Sequence, residues 1–222
     1  MLNRQGPGKI GWTDWTWNPI SGCLHGCPYC YMLRMEKRFP GIMQPKYRPE
    51  YLKDLQSKRL TPGDKIFVGS SGDTWGEWVK DMHITEVLFE AAIRPYLTFQ
   101  FLTKKPSRYK EFHLENLDNC WFGTSVDGTY KTIFNLQELA AALPETAKKF
   151  VSFEPLIESP TISSDFYDLN WIIIGADSTR GAKKPPKAWA DFLIREARDK
   201  NIPVWVKDNY GYPEVIKEFP II

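Results

Sequence analysis

No stretch of this sequence is long and apolar enough to cross a bilayer. Apolar runs such as WIII at 171–174 fall far short of the roughly 20 residues a spanning helix needs. Charge of one sign is also scarce, because 29 Lys and Arg against 27 Asp and Glu leave a formal net charge of +2. That balance excludes a basic arm coating nucleic acid non-specifically, so any such contact must come from a local patch. Internal repeats, charge blocks and low-complexity linkers are missing, and one domain over residues 1–222 is expected, its N-terminal segment 1–14 preceding the main run of strands. The start, MLNRQGPGKIGW, lacks the apolar core of a secretion signal, which points to the cytoplasm. Cysteine is sparse as well, with four residues, and in the cytoplasm a tight cluster of them is expected to bind metal or serve catalysis, not to form a disulfide framework.

What is present is a series of short apolar β-type runs: KIFVGS (65–70), TFQFLT (98–103), CWFGTSV (120–126), KFVSFE (149–154), NWIIIGA (170–176) and IPVWVKD (202–208). A shorter first strand is expected within Trp15 to Ser21. Near-continuous apolar runs suit strands covered on both faces, as in a parallel sheet. Helical patterns fall between several of them. Ile84, Val87, Leu88, Ala91 and Ala92 share one face, with Asp81 as a candidate cap. Ile133, Leu136, Leu139, Ala140 and Leu143 form a second stripe, and Trp189, Phe192, Leu193 and Ala197 a third.

Alternating β and α predicts parallel βαβ units, either a partial barrel or an open doubly wound sheet. Nearly every run ends in polar residues: Ser70, Ser71 and Asp73; Thr103, Lys104 and Lys105; Ser125 and Asp127; Glu154; Asp177; Lys207 and Asp208. A barrel gathers all of these at one mouth, an open sheet only those beside its switch point. The expected fold is therefore α/β, a partial TIM-type (β/α) barrel with about six or seven parallel strands.

Three of the four cysteines crowd into SGCLHGCPYCYM, where Cys23, Cys27 and Cys30 are spaced C-x3-C-x2-C. A structural zinc site wants four protein ligands, usually as two separated pairs. His25 would make a cramped fourth ligand from inside the same loop, and Cys120 begins a strand and should lie at the other end of the barrel. An iron–sulfur cubane is the better account: three thiolates fix three irons and leave the fourth open to an exogenous ligand. Gly22 and Gly26 let the backbone bend there, and Pro28 and Tyr29 stiffen and shield the site.

The C-x3-C-x2-C spacing, with the aromatic Tyr29 just before the last cysteine, resembles the signature of the radical S-adenosylmethionine superfamily. The string GCLHGCPYCY is similar to the cluster loop of the spore photoproduct lyase family. Over nearly the full chain, WTDWTWNPISGC, FVGSSGD, FLTKKPSRY, WFGTSVD, FVSFEPLIES and WIIIGADS resemble a phage-associated branch of that superfamily. That branch often sets its first two cysteines further apart, whereas here they follow the superfamily spacing.

The resemblance implies a 4Fe–4S cluster on Cys23, Cys27 and Cys30, with S-adenosylmethionine on the open iron. One electron from an external donor of flavodoxin or ferredoxin type would yield methionine and a 5′-deoxyadenosyl radical that takes a hydrogen atom from the substrate. It also implies cofactor contacts from Tyr29, from Ser70, Ser71 and Asp73 in the place of the superfamily's usual Gly-Gly-Glu, from Lys104 toward the cofactor carboxylate, and from Ser125 toward the ribose.

The substrate implied is a nucleic acid base or nucleotide, DNA or RNA. Glu154 and Asp177 at strand ends are candidate contacts, as are Arg180, Lys183 and Lys184 in STRGAKKPPKAW, a loop that would attract phosphate. Trp12, Trp15 and Trp17 form either a stacking platform for a base or, preferentially, packing beneath the cluster loop. Cys120 is expected to be a buried, inert thiol. Two rivals remain: a non-catalytic zinc- or Fe–S-binding adaptor on nucleic acid, and a one-electron carrier, which as a rule needs a fully thiolate-ligated cluster.

Overall fold

The structure, a computed structural model, describes residues 1–6, 8–160 and 168–220. Its main sheet has eight strands. β1 (Leu2–Arg4) pairs antiparallel with β2 (Trp15–Trp17). A separate antiparallel pair, β3 (Ile20–Ser21) with β4 (Lys46–Tyr47), brackets the cysteine loop and α1 (Tyr31–Glu36). Then come β5 (Lys65–Val68), β6 (Thr98–Thr103), β7 (Cys120–Ser125), β8 (Lys148–Phe153), β9 (Trp171–Ile174) and β10 (Val204–Val206).

The sheet order is β1-β2-β5-β6-β7-β8-β9-β10, and every pairing from β2 to β10 is parallel. All seven expected parallel strands are present. Their spatial order never reverses along the chain, as in barrel winding; a doubly wound sheet reverses at a switch point. Among the described strands β10 pairs only with β9, which leaves the barrel partial.

Curvature shows in the side chains. One apolar cluster gathers Trp12, Phe67, Trp121, Phe150, Trp171 and Trp205, from strands as far apart as β5 and β10. The Trp12 ring lies 4.7 Å from that of Phe67 and 6.1 Å from that of Trp171. A flat sheet would hold those residues apart, so they fill the interior of a curled one. The opposite faces of the same strands, with Trp15, Trp17, Phe99, Phe101 and Phe122, pack into the outer core with the helices. Both faces are buried, which is why the strands read as unbroken apolar runs. All three clustered tryptophans near the N-terminus, Trp12, Trp15 and Trp17, are at most 3% exposed and serve packing, not stacking on a ligand.

The helices are α2 (Asp81–Ala92), α3 (Tyr130–Ala142) and α4 (Lys187–Arg198). Asp81 is not the cap expected of it. Lys80 holds that position without a side-chain bond, and Asp81 instead pairs with buried Arg108 at 2.5 Å. Two stripe residues also differ: Ala92 is exposed and Ala140 only half-buried, while Ala142 is buried. At the strand-start end, Glu218 accepts a bond from Trp171 Nε1 at 2.9 Å through its carbonyl, and the Phe219 ring stands 4.8 Å from Trp205. No helix among the described residues is long and apolar enough to cross a membrane.

Gly123 on the inner face of β7 lies in register with Phe150, and a Cβ there would stand 2.5 Å from the Phe150 ring. Gly123→Ala should therefore overpack the interior and cost about 1–3 kcal/mol. Thermal denaturation followed by circular dichroism should show Tm lowered by about 2–4 °C per kcal/mol. An unchanged Tm would contradict the tight interior.

Candidate cofactor site at the barrel mouth

The cysteine loop is seated on the end of β5 by a backbone contact that only glycine permits. Gly22, at φ +84°, donates its amide to the Ser71 carbonyl at 2.9 Å and forms a parallel bridge with Gly72. A Cβ on Gly22 would lie 2.2 Å from the Gln44 carbonyl, and one on Gly72 would lie 2.6 Å from the Gly22 carbonyl. The next residue, Cys23, donates its amide to the Met43 carbonyl at 2.9 Å, so the first cysteine is fixed on both sides. Gly26, at φ +66°, turns the chain toward Cys27, and the Cys30 amide bonds the Cys27 carbonyl at 3.0 Å before α1 begins.

All three sulfur-bearing residues line one open cavity of about 240 Å³, together with Ser70, Asp73, Lys104 and Ser125. Tyr29, Glu154 and Asp177 also line it. The mouth thus brings together the three metal candidates, five of the six cofactor candidates and two of the five substrate candidates. Ser71 is not in the lining; its backbone holds the loop. Arg180, Lys183 and Lys184 are exposed and stand outside the lining, Lys184 donating to the Asn209 carbonyl.

Asp73 joins three segments of the mouth. Its buried carboxylate Oδ2 lies 2.8 Å from His25 Nε2 and accepts bonds from Thr103 Oγ1 at 2.9 Å and the Lys104 amide at 3.0 Å. Oδ1 accepts the Trp75 amide at 2.9 Å. These partners come from the cysteine loop, β6 and the turn after β5, and the donors offset the cost of burying the charge. His25 is thus held by Asp73, which the cysteine spacing alone did not suggest. Asn18, which carried no signal in the sequence, accepts bonds from Ser70 Oγ at 3.1 Å and the Ser71 amide at 3.0 Å.

Tyr29 clamps the loop from the other side. Its hydroxyl donates to Asp127 Oδ2 at 2.8 Å and accepts from Lys104 Nζ at 3.1 Å, with the ammonium 5.3 Å from the ring centroid. Burial and the bond to Asp127 push the phenol far above its ordinary range, so it stays protonated. Burial opposes ionisation of Asp127, but bonds from Thr129, Thr132 and Tyr29 prevail and keep its carboxyl below the usual range. On the opposite wall, Glu154 Oε1 accepts from Lys207 and, at 3.5 Å, from Asn209.

Burial pushes the Cys23 thiol up to about 12, against a bond from the His25 backbone; it also raises Cys27, against the Lys104 ammonium. Thiols this reluctant to ionise in water become thiolates when a metal takes the proton's place. Among the described residues no three Cys, His, Asp or Glu side chains converge as ligands of a single ion. Thiolates that each take a different iron of a cluster are not required to converge that way. A loop of three thiol donors facing an open cavity fits such a cluster. Cys120 begins β7, is 1% exposed and has its thiol pushed up to about 12 by burial, as its strand-start position suggested.

Residues 7–217 match the family described as Protein of unknown function (DUF5131), and the chain belongs to that family. No sequence among curated proteins matches it. Among solved structures it is similar to a cysteine-to-serine mutant of spore photoproduct lyase, at 12% identity and TM-score 0.58, over 93% of this chain and 78% of that one. It is also similar to a double mutant of spore photoproduct lyase with bound AdoMet and dinucleoside spore photoproduct, at 11% identity and TM-score 0.52. That match covers 89% of this chain but 64% of the other, less than two thirds of its length. The likeness is one of fold.

Cys120 is buried and the three loop cysteines are partly exposed. Prolonged alkylation of the native, metal-free protein at alkaline pH, needed because burial holds the Cys23 and Cys27 thiols protonated, should therefore modify Cys23, Cys27 and Cys30 and spare Cys120 until denaturant is added. Peptide mass spectrometry reads the outcome, and native labelling of Cys120 as fast as the loop would contradict it.

Proposed function

We propose that this chain is a radical S-adenosylmethionine enzyme of the cytoplasm, related to the phage-associated branch, that modifies or repairs a nucleic acid base or nucleotide. One observation carries the reading: a C-x3-C-x2-C loop seated over the strand-end mouth of a parallel barrel, with all three cysteines on one cavity. The printed names of the similar structures, with AdoMet and a dinucleoside photoproduct, support it.

Cys23, Cys27 and Cys30 would hold three irons of a 4Fe–4S cluster. When bound, the cluster and S-adenosylmethionine supply a 5′-deoxyadenosyl radical that abstracts hydrogen from the substrate. The chain's own residues position and shield. Lys104 would meet the cofactor carboxylate, and Tyr29 fixes where that ammonium sits. Ser70 and Asp73 would receive the amino group, since Asp73 Oδ1 has one protein partner and keeps an acceptor site free, while Ser71 supports them through its backbone. Ser125, at the end of β7, would face the ribose. Glu154 and Asp177 line the cavity nearer β8 and β9 and would contact substrate. The inner aromatic cluster excludes water from below. An external flavodoxin- or ferredoxin-type donor would supply the electron.

Anaerobically reconstituted, reduced protein should be brown, contain iron and sulfide, and convert S-adenosylmethionine to 5′-deoxyadenosine detectable by mass spectrometry. Replacing any of Cys23, Cys27 or Cys30 by Ala should abolish that product. Colourless protein carrying zinc would favour the adaptor reading, and a fully loaded cluster yielding no 5′-deoxyadenosine would overturn the enzyme. Gly72→Ala should push the Gly22 carbonyl away and misplace Cys23, weakening iron retention against a chelator by about 10- to 100-fold. Iron retained as in the wild type would show that the glycine contact does not set the site.

A further inference from the structure

Helix α1 does more than carry the chain out of the cysteine loop. Tyr31 and Arg34 are three residues apart and so lie one above the other on a single helix face. Tyr31 donates its hydroxyl to the Ser70 carbonyl beyond β5 at 3.0 Å, and Arg34 donates to Thr179 Oγ1 beyond β9. Three strands separate β5 from β9 in the sheet, so α1 lies across the mouth and joins two distant parts of its rim.

Positive charge predominates on this rim. Lys37 and Arg38 follow α1, and Arg180 and Lys183 follow Thr179; none of the four has an ion-pair partner among the described residues. The nearby acids are engaged: Glu36 accepts the Gly41 and Met43 amides at 2.7 and 3.1 Å, and Asp177 accepts the Thr179 amide at 2.7 Å. Within this basic border Tyr31 is 45% exposed and also lines the cavity. Basic groups bordering an aromatic plate make a surface that follows a phosphate backbone and stacks a base. A cavity of about 240 Å³ is far too small for a duplex, so a base must leave its stack to enter.

We propose that the rim formed by Tyr31, Arg34, Arg180 and Lys183 is the docking surface for a single nucleic-acid strand, with one base stacked on Tyr31 at the entrance to the cavity. The inference rests on the nucleic-acid part of the function proposed above and adds where the strand lies and that it is unpaired.

Fluorescence anisotropy tests it without any turnover, using a short labelled DNA strand, its RNA equivalent and the matching DNA duplex over a range of salt. One of the single strands should bind more tightly than the duplex. Arg180→Gln combined with Lys183→Gln should weaken that binding about tenfold and reduce the slope of log K against log salt by about 0.7 for each phosphate no longer neutralised. Tyr31→Ala should weaken it roughly tenfold at unchanged slope, and Tyr31→Phe should bind as the wild type does. Arg195→Gln on α4 should have no effect, and circular dichroism melts should confirm that every variant folds.

Wild-type affinity in the rim variants would overturn the docking surface, as would duplex preferred over both single strands. Rim variants that lose an acidic carrier protein but keep the strand would reassign the surface and overturn the proposal. If no oligonucleotide binds at low salt while the enzyme still forms 5′-deoxyadenosine, the nucleic-acid assignment falls and the radical chemistry stands.

Discussion

Two glycine backbones pressed together at the top of β5 determine where the chemistry-bearing loop can sit. A side chain on Gly72 would meet the Gly22 carbonyl and one on Gly22 would meet the Gln44 carbonyl, and main-chain oxygen cannot move aside as a flexible side chain would. Because Cys23 follows Gly22 and Asp73 follows Gly72, this approach places the first thiol within reach of the Asp73 charge. Asp73 then ties the cysteine loop, through His25, to Thr103 and Lys104 at the end of β6. Tyr29 makes the second tie, through Lys104 and Asp127. The loop is held at three points before any metal enters, which reduces the ordering that cluster binding must still supply.

The winding of the sheet makes this economical. Since the main-sheet strands from β2 to β10 are parallel and follow chain order, all seven of their ends face the same mouth, and each βα connection offers one or two polar groups there. Those groups divide by what they touch. Asn18, Asp73 and Asp127 bond mainly to the protein and build the frame. Lys104 and Ser125 face the cavity, and Glu154 stands at its far wall beside Lys207. The aromatic interior below them is tightly filled, so the cavity is confined to the top of the barrel.

Much of the fold was legible because a strand buried on both faces must be apolar throughout, and six runs of that kind stand out in the sequence. The short antiparallel elements were not: β1, β3 and β4 have two or three residues each and no period long enough to read. Asp81 had the right chemistry for a cap, but Arg108 claimed it, a tertiary demand that no local pattern reveals. In the site, the cysteine spacing was informative because it is local. The pairing of His25 with Asp73 spans 48 residues and that of Tyr29 with Lys104 spans 75, distances over which only the folded chain shows who meets whom. The role of Gly72 was hidden differently, since the turn Ser70 to Asp73 reads as ligand-binding polarity when half of its work is to admit another backbone.

The central claim is that three thiolates leave one iron without a protein ligand. Electron paramagnetic resonance of the reduced, reconstituted protein, recorded with and without S-adenosylmethionine, tests it most directly. The account predicts a 4Fe–4S signal whose g-values shift when S-adenosylmethionine is added, because the cofactor takes the vacant position. A signal indifferent to the cofactor in a fully loaded protein would contradict it.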